Sequence, residues 1–214
     1  MPLHASLLSL TLADFAEQTA ARTATPGGGS VAAHMGQLGA ALGTMAARFT
    51  AGRKGFEAHE AALATEVARL QELGARLALL VDEDSRSYDG VTAAYALPKE
   101  TEADKAVRRD AIQAALRAAL AAPLATCRDT VAALSVLDTL AAHVNPNLAS
   151  DVAVGAYALA AAHRGAWINV LINLGGLKDE AFRADVLAEG EHLQRAAQGF
   201  EQHVSATVHA GLQA

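Results

Sequence analysis

At 214 residues the chain has the length of one generous domain with a full core. A net charge of −6 argues against nucleic acid, whose binding rests on Lys and Arg contacts to phosphate, and 52% apolar residues with only 4% aromatics favour closely packed helices over a β-sandwich. A single cysteine, Cys127, rules out an intramolecular disulfide framework and fits a reducing cytoplasm.

The N-terminus lacks the basic region and long apolar stretch of a signal peptide. Thr11, with Asp14 three residues on, has the form of a capping box and predicts a short helix to about Arg22. Thr23–Gly29 reads as a loop that ends in Pro26 and three consecutive glycines, Gly27, Gly28 and Gly29. Such a run allows a close approach of ligand or side chain and leaves free N–H groups at the start of the helix that follows. Ser30 is the expected N-cap of that helix, which continues to about Thr50 with Gly36, Gly39 and Gly43 among alanines. Each glycine costs about 1 kcal/mol against Ala, so their clustering implies very close backbone packing. The run is not a phosphate loop, because no Gly-Lys-Ser/Thr follows and no strand precedes it. A capped, buried helix with a glycine hinge is the plainer reading of the same residues.

Ala51–Gly55 is a basic loop containing Arg53 and Lys54. A helical pattern then runs from Phe56 to about Leu97, where Pro98 stops it, with Gly74 and Gly90 as candidate kinks. Thr101 and Asp104 signal a cap for a helix to about Ala121, and Pro123 suits the first turn of the next, to about His143. Asn145-Pro146-Asn147 is a turn; Ser150 or Asp151 is the expected cap of a helix to Leu174; Asp179 caps the last, to about Leu212. No alternating strand pattern survives beside these seven segments, so the predicted class is all-α in a single domain. Two low-charge runs, Val31–Ala47 and Val152–Leu177, carry His34, Gln37, His163, Arg164 and two asparagines, and read as buried helices rather than membrane spans.

The long third segment holds the sharpest chemical clue. Leu70, Leu73, Leu77, Val81, Tyr88, Val91 and Tyr95 repeat at steps of three and four, and Asp84 belongs to the same stripe. Asp82, Glu83 and Asp89 point elsewhere and read as solvated charges. A carboxylate on an apolar face must be paired, hydrogen-bonded or protonated, and burial would raise its pKa toward the range useful for general acid–base work. A structural cap or pair is the alternative. In the sixth segment Asp151, Gly155, Ala158, Ala162, Gly165, Asn169 and Asn173 fall along one line. Asp151 and Asn169 are about 27 Å apart along a helix rising ~1.5 Å per residue, so only a neighbouring subunit could bring both ends to one site. The eight histidines show no metal-ligand spacing. His34 and His163 read as satisfied core imidazoles, His34 being kept as an outsider for the site, and Cys127 as a small buried residue.

The segments PGGGSVAA, GAALGTMAARFT and Lys54-Gly55-Phe56, together with Asn147-Leu148-Ala149-Ser150-Asp151 and Asn169 to Leu174, closely resemble the cyclodeaminase/cyclohydrolase family of folate enzymes. Asp84, with the aromatic Tyr88 one turn on, fits the same resemblance, which extends from Phe15 to about Phe182. The resemblance implies a multihelical, cytoplasmic homodimer with no resident cofactor or metal, acting on a tetrahydrofolate derivative that can carry a polyglutamate tail. The expected reaction closes 5-formiminotetrahydrofolate to 5,10-methenyltetrahydrofolate with release of ammonia. The alternatives are hydrolysis of the methenyl bridge to 10-formyltetrahydrofolate, and folate binding on the same fold without turnover. The absence of an attached formiminotransferase segment weakens an exclusive assignment to histidine degradation. Asp84 is expected to be the acid–base group. Pro26 and Gly27–Ser30 are expected to cradle the ligand, Arg53, Lys54 and Lys99 to attract the glutamate tail, and Asn147, Asp151, Asn169 and Asn173 to position the pterin or shape a dimer pocket.

Overall fold

A computed structural model describes residues 6–213; residues 1–5, where the leader reading begins, and residue 214 lie outside the described part. Seven α-helices follow one another: α1 Leu12–Ala20, α2 Gly28–Thr50, α3 Glu60–Tyr95, α4 Glu102–Ala119, α5 Ala121–Ala141, α6 Ala149–Gly175 and α7 Glu180–Leu212. Short 3-10 turns precede α1, α3 and α6, and no strand occurs among the described residues. Three expected caps are in place. Thr11 accepts from the Asp14 N–H, Thr101 and Asp104 close a reciprocal capping box, and Asp179 accepts from the Phe182 N–H.

Two expected caps are not. α2 begins two residues before Ser30, with Gly27 as N-cap, so Ser30 lies inside the first turn and is buried. α6 begins at Ala149 behind Leu148, placing Ser150 and Asp151 within the helix rather than ahead of it. The displaced Ser30 hydroxyl bonds across to α3 instead. α3 is one continuous helix through Gly74 and Gly90.

The glycine-rich α2 is the axis of the fold. It packs along α3 on one side and α6 on the other. The register is antiparallel in both cases: Gly43 meets Leu70, Gly36 meets Leu77 and Gly29 meets Asp84, while Gly39 meets Gly155 and Gly28 meets Asn169. A Cβ on Gly39 would stand 2.7 Å from the Gly155 carbonyl oxygen, and one on Gly155 would stand 3.0 Å from that of Gly39. Any larger residue at this crossing would force the two backbones apart, which accounts for the glycines. α5 backs α2, and α7 covers α5 and α6.

Buried side chains fill three contiguous regions. One, at the C-terminal end of α2, centres on Leu63, Leu70, Leu137, Leu140 and Leu159. A second joins Ile112, Leu116 and Leu124 to Trp167 and Val170. The smallest, behind Asp84, holds Ala33, Leu77, Leu80 and Val81. The stretch Glu102–Ala141 is long and apolar enough to cross a membrane, and 61% of its most apolar window is buried by the helical packing.

Candidate functional site

Leu70, Leu73, Leu77 and Val81 are fully buried, as their spacing predicts. The stripe then fails at Tyr88 and Tyr95, which are 48% and 51% exposed, while Val91 and Ala94 turn inward to pack with Ile112 of α4. Asp84 sits before this shift, half-buried, against the start of α2. Its carboxylate lies directly over the Gly29 Cα, in the space a side chain there would occupy. The Ser30 hydroxyl donates to Asp84 Oδ2 at 3.1 Å. The side chain is thus the anion at the positive end of α2. Burial raises its pKa above the usual carboxylate value, and hydrogen bonds from the Ser30 side chain and main chain only partly oppose that shift.

Asn169 completes this corner. Its Nδ2 donates to the Gly165 carbonyl at 2.9 Å and lies against the exposed Gly28, 3.5 Å from where a Cβ would stand. Pro26 is buried beneath the loop and Gly27 half-exposed. The structure therefore brings Pro26, Gly27, Gly28, Gly29, Ser30, Asp84 and Asn169 to one place. Asn173 lies one turn further along α6, where its Nδ2 donates to the Ala119 carbonyl at 3.2 Å and ties α6 to the end of α4. Lys99 is beyond the end of α3, about 16 Å past Asp84 by helical rise to Tyr95. It lines a groove of about 290 Å³ with Tyr95, Lys105, Arg108, Arg109 and Lys178.

Arg53, Lys54, Asn147 and Asp151 are elsewhere. Arg53 and Lys54 are exposed on the loop after α2, between Gly52 and Gly55, both of which have positive φ. The Asn145 N–H donates to the Thr50 hydroxyl, which fixes the turn before α6, with Asn147 and Asp151, at that same end of the bundle. This group and the Asp84 corner are separated by the length of α2.

Two buried carboxylates with partners on other helices were not anticipated. Glu66 Oε2 meets His143 Nε2 at 3.1 Å, and the His59 ring stacks on His143 with centroids 4.8 Å apart. Burial raises the Glu66 pKa, while the hydrogen bond from His143 opposes the shift. Asp129, also buried, is held by Arg76 at 2.6 Å. A signal for Glu66 was present: it stands between Leu63 and Leu70 at steps of three and four, the pattern that singles out Asp84. Asp82, read as a solvated charge, accepts from the Leu7 N–H at 2.8 Å and anchors the turn before α1. His163 and Cys127 are core residues. The His163 Nδ1 faces the Cys127 carbonyl at 3.3 Å, and burial pushes the Cys127 thiol up to about 12. His34 is half-buried beside Phe15 and Gln37. Among the described residues no group of three or more His, Cys, Asp or Glu is disposed to hold a metal ion.

Comparison with known proteins places the chain in a family. The family model described as formiminotransferase-cyclodeaminase matches residues 11–192. The formimidoyltransferase-cyclodeaminase of Sus scrofa is 40% identical over 181 residues, 85% of this chain and 34% of that protein. The methenyltetrahydrofolate cyclohydrolase of Methylorubrum extorquens is 35% identical over 198 residues, covering 92% of this chain and 95% of the relative. The crystal structure of formiminotetrahydrofolate cyclodeaminase from Thermotoga maritima superposes with a TM-score of 0.86 at 32% identity, covering 95% of this chain and 98% of that one. The chain thus spans about a third of the length of the animal relative and nearly all of the two bacterial ones. With the family model spanning α1 to α6 and the first part of α7, the chain belongs to the formiminotransferase-cyclodeaminase family.

Proposed function

We propose that the protein is a folate one-carbon enzyme that closes 5-formiminotetrahydrofolate to 5,10-methenyltetrahydrofolate and releases ammonia. The observation that carries this reading is the Asp84 carboxylate, raised in pKa by burial and set against the Gly29 backbone and the Ser30 hydroxyl. Closure requires N10 of the folate to attack the formimino carbon, a group to take the N10 proton, and a proton for the departing amine. A carboxyl group with a raised pKa can accept the first proton and return it to the leaving nitrogen, which expels ammonia and leaves the methenyl bridge. Its charge in the ionised state also stabilises the cationic carbon–nitrogen system on either side of the tetrahedral carbon. Asn169 and the exposed Gly28 N–H stand beside Asp84 as positioning groups for the ligand. The enzyme acts as a cytoplasmic homodimer without a resident cofactor, and the tail of the folate, with any polyglutamate extension, lies along basic side chains.

Hydrolysis of the methenyl bridge is the second reading, favoured by the Methylorubrum extorquens relative, which is matched over nearly its full length. There water attacks the same carbon, and Asp84 takes a proton from the water and passes one to N5 as the bridge opens. An absorbance assay at the methenyltetrahydrofolate band separates the two. Absorbance that grows from 5-formiminotetrahydrofolate, with ammonia released, supports the first reading. Loss of absorbance from the methenyl compound well above buffer hydrolysis, with no growth from the formimino compound, supports the second. Folate binding without either change overturns both in favour of a binding protein.

A further inference from the structure

A groove of about 620 Å³ runs between α6 and α7 and shares no residue with the Asp84 corner. The two helices are antiparallel here and touch at either end of it. At one end the Trp167 ring fills the space that a side chain at Gly190 would take. At the other the Tyr157 and Ser205 hydroxyls meet at 2.9 Å, and between them Arg164 reaches across to Glu201 at 2.9 Å. The α7 wall, Gln194 to Ala206, lies wholly beyond residue 192, where the match to the family model ends. His163 lines the floor and is 1% exposed. Its Nδ1 faces the Cys127 carbonyl of α5 at 3.3 Å; a carbonyl only accepts, so the ring proton sits on Nδ1. Nε2, on the other edge of the ring, is buried and has no partner among the described residues. The expectation of a satisfied core imidazole therefore holds for one nitrogen and fails for the other. Burial holds the ring pKa below its usual value, with the Cys127 carbonyl opposing and the Arg164 charge assisting, so His163 is neutral at pH 7. A buried acceptor of this kind costs free energy until something donates to it.

The rest of the lining defines the donor. Arg164 and Glu201 are its only charged side chains besides the neutral imidazole, and they cancel. A phosphate or carboxylate ligand needs a surplus of cations, and an ammonium ligand a surplus of carboxylates; the groove has neither. Gln194, Gln198 and Gln202 recur at steps of four along α7, all exposed, and each offers an N–H₂ beside a C=O. Ala160 and Ala197 leave a small, flat apolar surface between these polar groups. The volume falls in the range of small-molecule pockets, about 300–1,000 Å³. His209 cannot activate Ser205 as a nucleophile. Its Nδ1 lies 2.7 Å from the Ser205 carbonyl and must donate to it, which leaves no lone pair there for the hydroxyl proton. The groove is built to bind rather than to react. We propose that it takes a flat, uncharged heterocycle with a ring N–H beside a ring carbonyl, the lactam edge shared by hypoxanthine and guanine nucleosides and by pterins. The ring N–H donates to His163 Nε2, the carbonyl accepts from the Gln198 amide across the groove, and the ring lies over Ala160 and Ala197. The Tyr157 and Ser205 hydroxyls are left for a sugar, which a nucleoside has and a bare pterin lacks.

Isothermal titration of the wild-type protein with inosine and, separately, with pterin tests the site. At least one of the two is expected to bind saturably, one molecule per chain. Inosine without pterin identifies a nucleoside site, and pterin without inosine a pterin site. 1-Methylinosine and 3-methylpterin carry a methyl in place of the ring N–H, and each is expected to bind at least about tenfold more weakly than its parent, because His163 Nε2 is left without a donor. His163→Phe keeps a ring, removes the acceptor and should abolish that discrimination. Since a change in the core can upset folding, Gln198→Leu at an exposed position is the second variant. It should weaken binding at least about fivefold with an unchanged circular dichroism spectrum. Dissociation constants above about 1 mM for both parents overturn the site, as do methylated analogues that bind as tightly as their parents. Pterin binding that Asp84→Asn abolishes and Gln198→Leu leaves intact belongs to the Asp84 corner and overturns it equally. None of these readings involves turnover, so an enzyme silent on both folates would overturn the functional reading alone.

Discussion

In the proposed reaction Asp84 would serve chemistry at the expense of stability. Its pKa is raised in the fold, so the folded state holds its proton to higher pH than the unfolded chain does. The stabilisation this gives is fully present below the unfolded pKa and is lost as pH rises through the folded one, leaving the ionised carboxylate a liability at neutral pH. Asp84→Asn keeps the shape, can still accept from Ser30, and removes the charge. It is therefore expected to melt higher than wild type at pH 7, with the difference shrinking as pH falls through the raised pKa, while turnover drops at least about tenfold. Thermal melts across pH beside steady-state rates check both halves, and a lower melting temperature at neutral pH would contradict the account. Ser30→Ala removes a donor that favours the ionised form. The acidic limb of the kcat/KM profile should then move to higher pH, a shift that loss of packing alone would not produce. These roles were only partly legible in the sequence. The stripe spacing singles out Asp84, but it applies equally to Glu66, which is more deeply buried and paired with His143. Ser30 looks like a cap because nothing local reveals that a glycine will cap the helix and turn the serine toward a residue on another helix.

At the scale of elements, the sequence announces helix boundaries wherever a side chain closes its own turn, as at Thr11, Thr101 and Asp179. It misleads where a boundary depends on the preceding turn, as before α6, and where the buried face of a long helix shifts as it meets a new partner, Val91 and Ala94 turning to α4 while Tyr88 and Tyr95 stay exposed. The glycines of α2 do mark close packing, although periodicity cannot say which helix lies against them. Their neighbours allow opposite outcomes to be predicted for one substitution. Gly39→Ala places a methyl 2.7 Å from the Gly155 carbonyl oxygen, against backbone that cannot swing away. A loss of about 1–3 kcal/mol is expected as α2 and α6 are pushed apart. Gly74→Ala meets only the Ala40 Cβ at 3.7 Å, an ordinary contact in mid-helix. It should stabilise by up to about 1 kcal/mol through helix propensity. Urea unfolding of the two variants checks the pair, and a gain in stability for Gly39→Ala would show that the crossing is looser than its geometry.

For the whole molecule, the question is what the apolar outer face of α2 and α6 does in water. A run of large, half-exposed apolar side chains from Val31 to Phe49 is unlike the scattered single residues that any soluble surface carries. Leu38 lies near the middle of this seam and is 49% exposed. Leu38→Glu should therefore leave each copy folded, with an unchanged helical circular dichroism spectrum. If this face is the interface of the proposed homodimer, it should also bury a carboxylate from each copy there, where burial disfavours the charged form and like charges repel. Light scattering is expected to report a monomer, with turnover falling at least about tenfold even though Asp84, Ser30 and Asn169 are untouched. Leu79→Glu provides the control. Leu79 is 64% exposed on α3, a half-turn away from the buried Leu77 and Val81, and the variant should keep both the dimer and the rate. A Leu38→Glu protein that remains dimeric would place the interface on another face. One that is monomeric and fully active would show that a single bundle contains the whole active site.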